Sequence, residues 1–482
     1  MFNINKTLRR ENVDRFLSGK GYKFYNDLEK QEMWLDWYMS KDKWYNYDVV
    51  TSPKKVEHCT RFSLGALSRV CTDWASLLFN DDTIISIDGS ESEQNKLEEI
   101  FAYTNFLPQM QQFIERYFCV GTGALVFGRD VGNKVRISYV DGTRAYVIRS
   151  KNGLPEAAAF INQYDEQHTL ISVHEYRKSL RQNTTNPYSV TNYMIDENGG
   201  ELLAEQFGIP RFETYSHETF VWCRPAIARR EDWTSVYGQS IFGAAIDQNK
   251  VLDIMFDGYA NEFLMGRKRI FVSQDITTYS RDNDNVLIPT FDPNDSVFNM
   301  IPTISSEVEG DVNDMIKPVD MELRQQQYSR AIQDVLNYVA SSCFLGSNYY
   351  QFTYDIRIQM TATQVISSNT GLYRNIRKQE NNLGVLLKKA VVIMMALENI
   401  TIDPKNIKIK WDDSIIIDEE VDKENDRQDV RDGLMSKVEY RMKWYGETEE
   451  DAQKMVAKIE PIDAAPEISS GNGSLAVGAH FE

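Results

Sequence analysis

Two groups of side chains in this sequence have types and spacing suited to meeting a polyanion. Arg374, Arg377, Lys378, Lys388 and Lys389 fall within one helical stretch. Residues eleven apart return to nearly the same helical angle, so Arg377 aligns with Lys388 and Lys378 with Lys389. A stripe of this kind serves DNA, the acids of a neighbouring subunit, or plain solvation. The second group, Asn348, Tyr349, Tyr350, Gln351 and Tyr354, sits in a break between two helical segments. Aromatics and amides can slide against a polyanion without gripping it, although ordinary loop packing uses the same residue types.

Catalytic chemistry is poorly provided for. No GxxxxGK[ST] phosphate loop is present, and GTGALVFG (121–128) lacks the third glycine of a dinucleotide fingerprint and leads into a strand pattern. There is no HExxH, and His58, His168, His174, His217 and His480 show no metal-pair spacing. Ser240, in GQSIFG, stands one residue off the GxSxG elbow and opens a helix rather than ending a strand. Among 71 acidic residues, close carboxylate pairs arise by chance and do not by themselves indicate a hydrolase. The expectation is a non-enzyme with no cofactor and no metal.

Composition narrows the class. The 482 residues are 42% hydrophobic and 26% charged, as in globular protein, and the length suits about two to four structural units. A net charge of −18 argues against gripping nucleic acid by phosphate neutralisation. The longest apolar run, Ala390 to Leu397, is far short of the roughly 20 residues of a membrane span, so no membrane partner is expected. The first residues lack the apolar core of a secretory signal. Five cysteines without a CxxC pair point to a reducing compartment, with Cys59, Cys71 and Cys119 as core residues.

The elements that carry these residues follow from periodicity. Trp34, Trp37 and Trp44 suggest one packed face near the start. Val56, Cys59, Phe62, Leu67, Val70, Trp74, Leu77 and Leu78 predict an amphipathic helix, and Glu91 to Phe118 a second one kinked at Pro108. Alternation cut by turn pairs such as Asp141-Gly142 and Asn152-Gly153 predicts a β-rich lobe over 121–225. Helix resumes at Gly238 and runs to Gly266, followed by the strand-like RIFVSQ. Residues 274–320 hold four prolines, ten acids and two bases, which suggests a small folded strand-and-loop module. A helix with Leu323, Ile332, Val335, Leu336 and Val339 on one side follows, then the aromatic break, then a long helix over Met360 to Asn399. The tail reads as a strand (IKIKWDDSIIID), an acid run, a helical segment and a poorly ordered Gly/Ser-rich end.

This order resembles the portal proteins of tailed bacteriophages, in the Listeria-phage-type, SPP1-like branch. YGQSIFGAAIDQNKVLDIMFDGYANEFLMGRKRIFV (237–272) looks like the family's stem-entry segment. MTATQVISSNTGLYRNIRKQENNL (360–383) resembles its TATEVIS-type helix, with Gln364 where the family often has an acid. WDDSIIID (411–418) and GLMSKVEYRMKWYGETEEDAQKMVAKI (433–459) resemble its C-terminal pattern. RFSLGALSRVCTDWASLLFN, GTGALVF and ISYVDGTRAYVI fit its N-terminal region.

The resemblance implies an α+β portal fold: a mixed wing, a two-helix stem, a small α/β clip insertion and a mostly helical crown. Residues 1–238 and 359–385 would be wing, 239–266 and 320–343 the stem helices, 267–319 the clip, 344–358 a tunnel loop and 386–482 the crown with its tail. It further implies a dodecamer at one capsid vertex, assembled in the host cytoplasm, through which double-stranded DNA passes without tight binding. Implied partners are the terminase large subunit, a head-completion or adaptor protein, and the major capsid and scaffolding proteins. On that mapping Asp275, Asp282, Asp284, Asp292 and Asp295 would belong to the clip's docking surface. The tunnel-loop residues, with the basic stripe as the second choice, would approach DNA.

Overall fold

The computed structural model describes residues 10–52, 55–89, 91–130, 132–177, 186–265, 269–273, 279–281, 287–289, 298–301, 316–319, 323–352, 362–411 and 419–458. The chain divides into two compact units, Met1–Asp412 and Asp413–Glu482. The first opens with α1 (Arg10–Gly19), α2 (Leu28–Tyr38) and a hairpin of β1 (Asn46–Ser52) and β2 (Lys55–Thr60). Helix α3 (Ala66–Leu78), strand β3 (Ile84–Ile87) and helices α4 (Glu91–Thr104) and α5 (Phe106–Val120) follow.

Three helix boundaries differ from the periodicity. The helix expected from Val56 begins only at Ala66, after Gly65 at φ +69°. Residues 56–60 instead pair with residues 46–50 across the hairpin. Val56 and Phe62 are therefore 52% and 51% exposed rather than core, and Cys59 is only half-buried, whereas Cys71 and Cys119 are buried as expected. The second predicted helix is two, broken at Asn105 with φ +50°, and Pro108 lies in the first turn of α5, where its missing N–H is no loss.

The predicted β-rich lobe is present, and its strands pair antiparallel. Strands β4 (Gly123–Arg129) and β5 (Val135–Asp141) form one sheet with the later β12. Strands β6 (Ala145–Lys151), β7 (Leu154–Gln163), β8 (Thr169–Tyr176), β9 (Tyr188–Ile195) and β10 (Glu201–Leu202) pair in sequence, and β11 (Phe212–Tyr215) adds to β9. β12 is Phe220–Cys223. Asn152 and Gly153, both at positive φ, make the two-residue turn between β6 and β7 that their types foretold. The pleat sorts the cores: Ala158 and Phe160 face a cluster with Ala124, Val126 and Trp222, while Ala159 and Ile161 face one with Val13 and Leu17 of α1.

Helix α6 (Ile246–Met265) starts eight residues later than the sequence suggests. Backbone donors in that stretch are used elsewhere: Gly238 N–H bonds to Thr122 Oγ1 (2.9 Å) and Ile241 N–H to the Phe118 carbonyl (3.0 Å). The segment is thus held against the end of α5 and cannot join a helix. Next come β13 (Arg269–Ser273), β14 (Tyr279–Arg281), β15 (Leu287–Pro289), β16 (Phe298–Ile301) and β17 (Ile316–Val319). β13 pairs parallel with β16 and antiparallel with β17, and β14 pairs with β15. The insertion's strands match the folded module expected there. Helix α7 (Gln325–Ser342), the 36-residue α8 (Ala362–Leu397) and β18 (Ile407–Lys410), paired with β3, complete the unit.

The second unit holds α9 (Glu419–Arg431), α10 (Lys437–Tyr445) and α11 (Glu449–Lys458). Ser436 and Glu439 form a reciprocal capping box at the start of α10, and Gly446 ends it at φ +62°. The acid run is therefore helical from Glu419, which its charge pattern had concealed.

Glycine contacts give a paired prediction. A Cβ on Gly238 would lie 2.3 Å from the Gly121 carbonyl oxygen and 2.9 Å from Arg224 Cβ, whereas one on Gly371 would meet nothing within 4 Å. Gly238→Ala should destabilise the chain by about 2 kcal/mol or more, and Gly371→Ala should stabilise it by about 0.5–1 kcal/mol. Urea unfolding of the two variants measures both.

Candidate functional site

The insertion and the aromatic break lie at opposite ends of α6 and α7, so the placement of these two helices sets the placement of both. Their mutual packing uses Gly258, which admits the Tyr328 ring, and Tyr259, whose ring centroid is 6.2 Å from that of Tyr328. At the insertion end Arg324 grips Glu262 with two hydrogen bonds of 3.0 and 2.8 Å, an exposed bidentate pair.

At the other end α6 is fixed by a buried carboxylate. Asp253, fully buried, accepts from Tyr45 Oη (2.7 Å), Leu64 N–H (2.9 Å) and Asn249 Nδ2 (2.8 Å), with Ser63 Oγ at 3.3 and 3.4 Å. One turn on, Asp257 accepts from Phe62 N–H at 3.0 Å. Burial holds the Asp253 carboxyl above the ordinary carboxylate range, against the lowering effect of those donors. Asn249, Asp253 and Asp257 recur every four residues, a polar stripe that the spacing alone could have revealed.

Helix α7 ends against α3 and α8. Trp74 Nε1 donates to the Cys343 carbonyl (3.0 Å) and Asn375 Nδ2 to the Phe344 carbonyl (2.9 Å). Phe344 adopts φ +65°, and Leu345 N–H returns to the Ala340 carbonyl (2.9 Å), closing the helix in a left-handed turn where glycine is usual. The break then folds back along α7. Gln333 Nε2 donates to the Tyr350 carbonyl (2.8 Å), and Phe352 N–H donates to Gln333 Oε1 (2.7 Å), so one amide serves as a strand edge for the loop.

The predicted loop residues separate. Asn348 and Gln351 are exposed and Tyr349 is half-buried. Tyr350 is only 4% exposed, its ring under the Arg69 guanidinium (5.2 Å) and edge-on to Tyr349 (4.9 Å). Burial and the Asp73 charge push the Tyr349 phenol up to about 12 and that of Tyr350 further, so both stay neutral. Tyr354 lies outside the described residues, as do Asp275, Asp282, Asp284, Asp292 and Asp295.

The basic stripe is on α8 as expected, and one acid of the helix and one from outside it approach its cations. Arg377 pairs with the buried Glu380 (3.1 Å) and contacts the Tyr373 hydroxyl (3.1 Å), and Lys389 lies 4.0 Å from Glu218. Arg374 and Lys378 are exposed, and Lys388 is half-buried. The polar residues that hold α8 are amides: Gln379 Oε1 accepts from Ala226 N–H (2.8 Å) and Asn382 Nδ2 donates to the Arg224 carbonyl (2.8 Å). With Asn375 they share one helical face, a spacing signal that the neighbouring charges obscure.

Among the described residues no group of His, Cys, Asp or Glu could hold a metal ion, and no helix is long and apolar enough to cross a membrane. His174 is buried against Thr219 Oγ1 (2.7 Å) and pushed down to about 3 by burial, a neutral core histidine.

A helix pair anchored at one end thus carries a small β insertion at the other and is followed by a polar-aromatic loop. The family model described as phage portal protein, SPP1 Gp6-like, matches residues 20–464, so the chain belongs to this family of phage portal proteins. It is a structural component of a phage virion, and its family is a structural, non-enzymatic one. Among solved structures, the neck of an empty gene transfer agent particle computed with C6 symmetry is similar, with TM-score 0.42 and 11% identity over 78% of this chain and 88% of that one. The neck of a native gene transfer agent particle computed with C12 symmetry gives 0.41 and 11% over 89% and 98%. These scores add no weight to the assignment. None of the curated proteins matches the chain.

Two outcomes follow from the anchors. Asp253→Ala strips the Tyr45, Leu64 and Asn249 donors of their acceptor and should destabilise the chain by about 3 kcal/mol. In the unfolded chain this carboxyl ionises at pH ~3.9, and in the folded chain at a higher pH. Its contribution is thus full below the unfolded value and declines as pH rises through the folded one. Urea unfolding of wild type and Asp253→Asn at several acidic pH values should show the stability of the wild type relative to the variant declining as pH rises. Separately, Gln333→Leu removes both bonds to the loop backbone, and amide exchange at Phe352 should accelerate at least tenfold while exchange in α8 is unchanged.

Proposed function

We propose that the chain assembles as a ring of twelve at a single capsid vertex and serves as the conduit for DNA during packaging and ejection. Membership of the portal family carries this reading, and the anchored helix pair supports it. In this reading α6 and α7 are the stem, within 239–266 and 320–343, and 267–319 is the clip. The wing spans 1–238 and 359–385, residues 344–358 form the tunnel loop, and 386–482 are crown. The clip receives the terminase large subunit during packaging and a head-completion protein afterwards. Major capsid and scaffolding proteins surround the wing in the host cytoplasm.

A conduit must let DNA pass, and a surface that neutralised phosphates would hold it. The net charge of −18 and the pairing of Arg377 with Glu380 and of Lys389 with Glu218 suit passage. Asn348 and Gln351, exposed and neutral, are the side chains nearest DNA in this reading, and buried Tyr350 shapes the loop from behind.

Negative-stain imaging of the purified chain should show rings with a central hole, and a chain that stays monomeric under all assembly conditions would sink the proposal. Deleting 275–315 should leave rings intact and abolish terminase binding in a pull-down. Retained binding would refute the clip assignment.

A further inference from the structure

The outward side of α8 is a single line of side chains. Arg374, Lys378, Asn381 and Val385 recur at steps of four, three and four, so they stack along one side of the helix, and all four are exposed. Leu372, Ile376, Leu383 and Leu387 are buried on the opposite side. Further along, Lys389 has Glu218 at 4.0 Å, whereas Arg374 and Lys378 enter no ion pair or hydrogen bond among the described residues. Val385, between Asn381 and Lys389, is 57% exposed. Solvation would leave this apolar side chain in water and a phosphate backbone offers it no contact, whereas a protein surface covers it.

A matching line exists in the same chain. Helix α4 sets Glu91, Asn95, Glu98 and Ala102 at the same steps of four, three and four, all exposed, with Leu97 and Ile100 buried behind them. Glu98 accepts from the neutral amide of Gln94 (2.7 Å), and neither Glu98 nor Glu91 is in an ion pair among the described residues. Laid side by side in the same direction, the two lines bring Arg374 to Glu91, Lys378 between Asn95 and Glu98, and Val385 to Ala102. One chain cannot make this contact with itself. Lys96 of α4 lies 3.4 Å from Glu398, just past the end of α8. Lys378 is about 28 Å back from that end along the helix axis, beyond the reach of the α4 side chains.

We propose that the basic line of α8 in one subunit receives the acidic line of α4 from the next copy of this chain, with Val385 covered at the contact. The contact joins two different patches, so it is head-to-tail and propagates around a ring. It rests on the ring reading above and names a contact that holds neighbouring subunits together.

Charge reversal on each side tests it. Arg374→Glu with Lys378→Glu makes both lines acidic, and Glu91→Lys with Glu98→Lys makes both basic. By native mass spectrometry each double variant alone should lose at least tenfold in ring yield, with circular dichroism unchanged. An equimolar mixture should recover rings holding equal numbers of each, because alternation satisfies every contact. Where the Glu91/Glu98 variant loses its helical signal, Glu91→Gln with Glu98→Gln replaces it and should still cost at least threefold in ring yield; an unchanged yield overturns the contact. Wild-type-like rings from either folded variant alone, or no recovery on mixing two folded variants, would overturn the contact while leaving the portal reading intact. Should the Arg374/Lys378 variant form normal rings but bind a short DNA duplex more weakly than wild type, the line faces DNA and the proposal fails. A wild-type chain that forms no rings would remove both readings.

Discussion

A pair of antiparallel helices has too little interior to fix its own direction, so whatever α6 and α7 carry is aimed by how they are rooted. The root of α6 is Asp253, whose carboxylate gathers a tyrosine hydroxyl from Tyr45, the backbone of Leu64 and the amide of Asn249. The root of α7 is its last turn, clasped by Trp74 from α3 and Asn375 from α8. Because Tyr45 and Leu64 flank the N-terminal hairpin while Trp74 lies on α3 and Asn375 on α8, all three regions must be in place before the helix pair points anywhere. The late start of α6 belongs to the same arrangement, since Gly238 and Gly121 bring two backbones into contact where no side chain fits.

What could be read in the sequence was whatever depends on near neighbours. The turn at Asn152-Gly153 requires positive φ at both positions and the residues say so, and the two-residue period of β7 is enough to assign Ala158 and Ala159 to opposite faces. The insertion between two helices and the long α8 were visible for the same reason. The hairpin at 46–60 was not, because Val56, Cys59 and Phe62 satisfy a helical rhythm as well as a strand pairing and only the partner strand decides. Gln333 gave no local signal because it acts on a loop backbone, and the four-residue spacing around Asp253 marks a polar stripe without naming Tyr45, 208 residues away in the chain, as its partner. Residue type marked Tyr350 as a candidate for the loop's outer side; Arg69, supplied by α3, takes its ring inward.

Charge separates the two kinds of polar residue in this protein. The cations of the α8 stripe are in part neutralised within the chain by Glu380 and Glu218, and the amides beside them attach the helix to the 224–226 backbone. This long helix is thereby secured to its neighbours by neutral groups rather than by its cations.

The two ends of the α6–α7 pair respond differently to ionic strength. At the insertion end, Arg324 and Glu262 meet in solvent, where counterions screen the attraction within about 8 Å at physiological salt. At the root, Asp253 is out of reach of counterions and is held by neutral donors, so added salt leaves it unchanged. Concentrated electrolyte therefore weakens the contact at the tip of the helix pair and leaves the one at its base as it is.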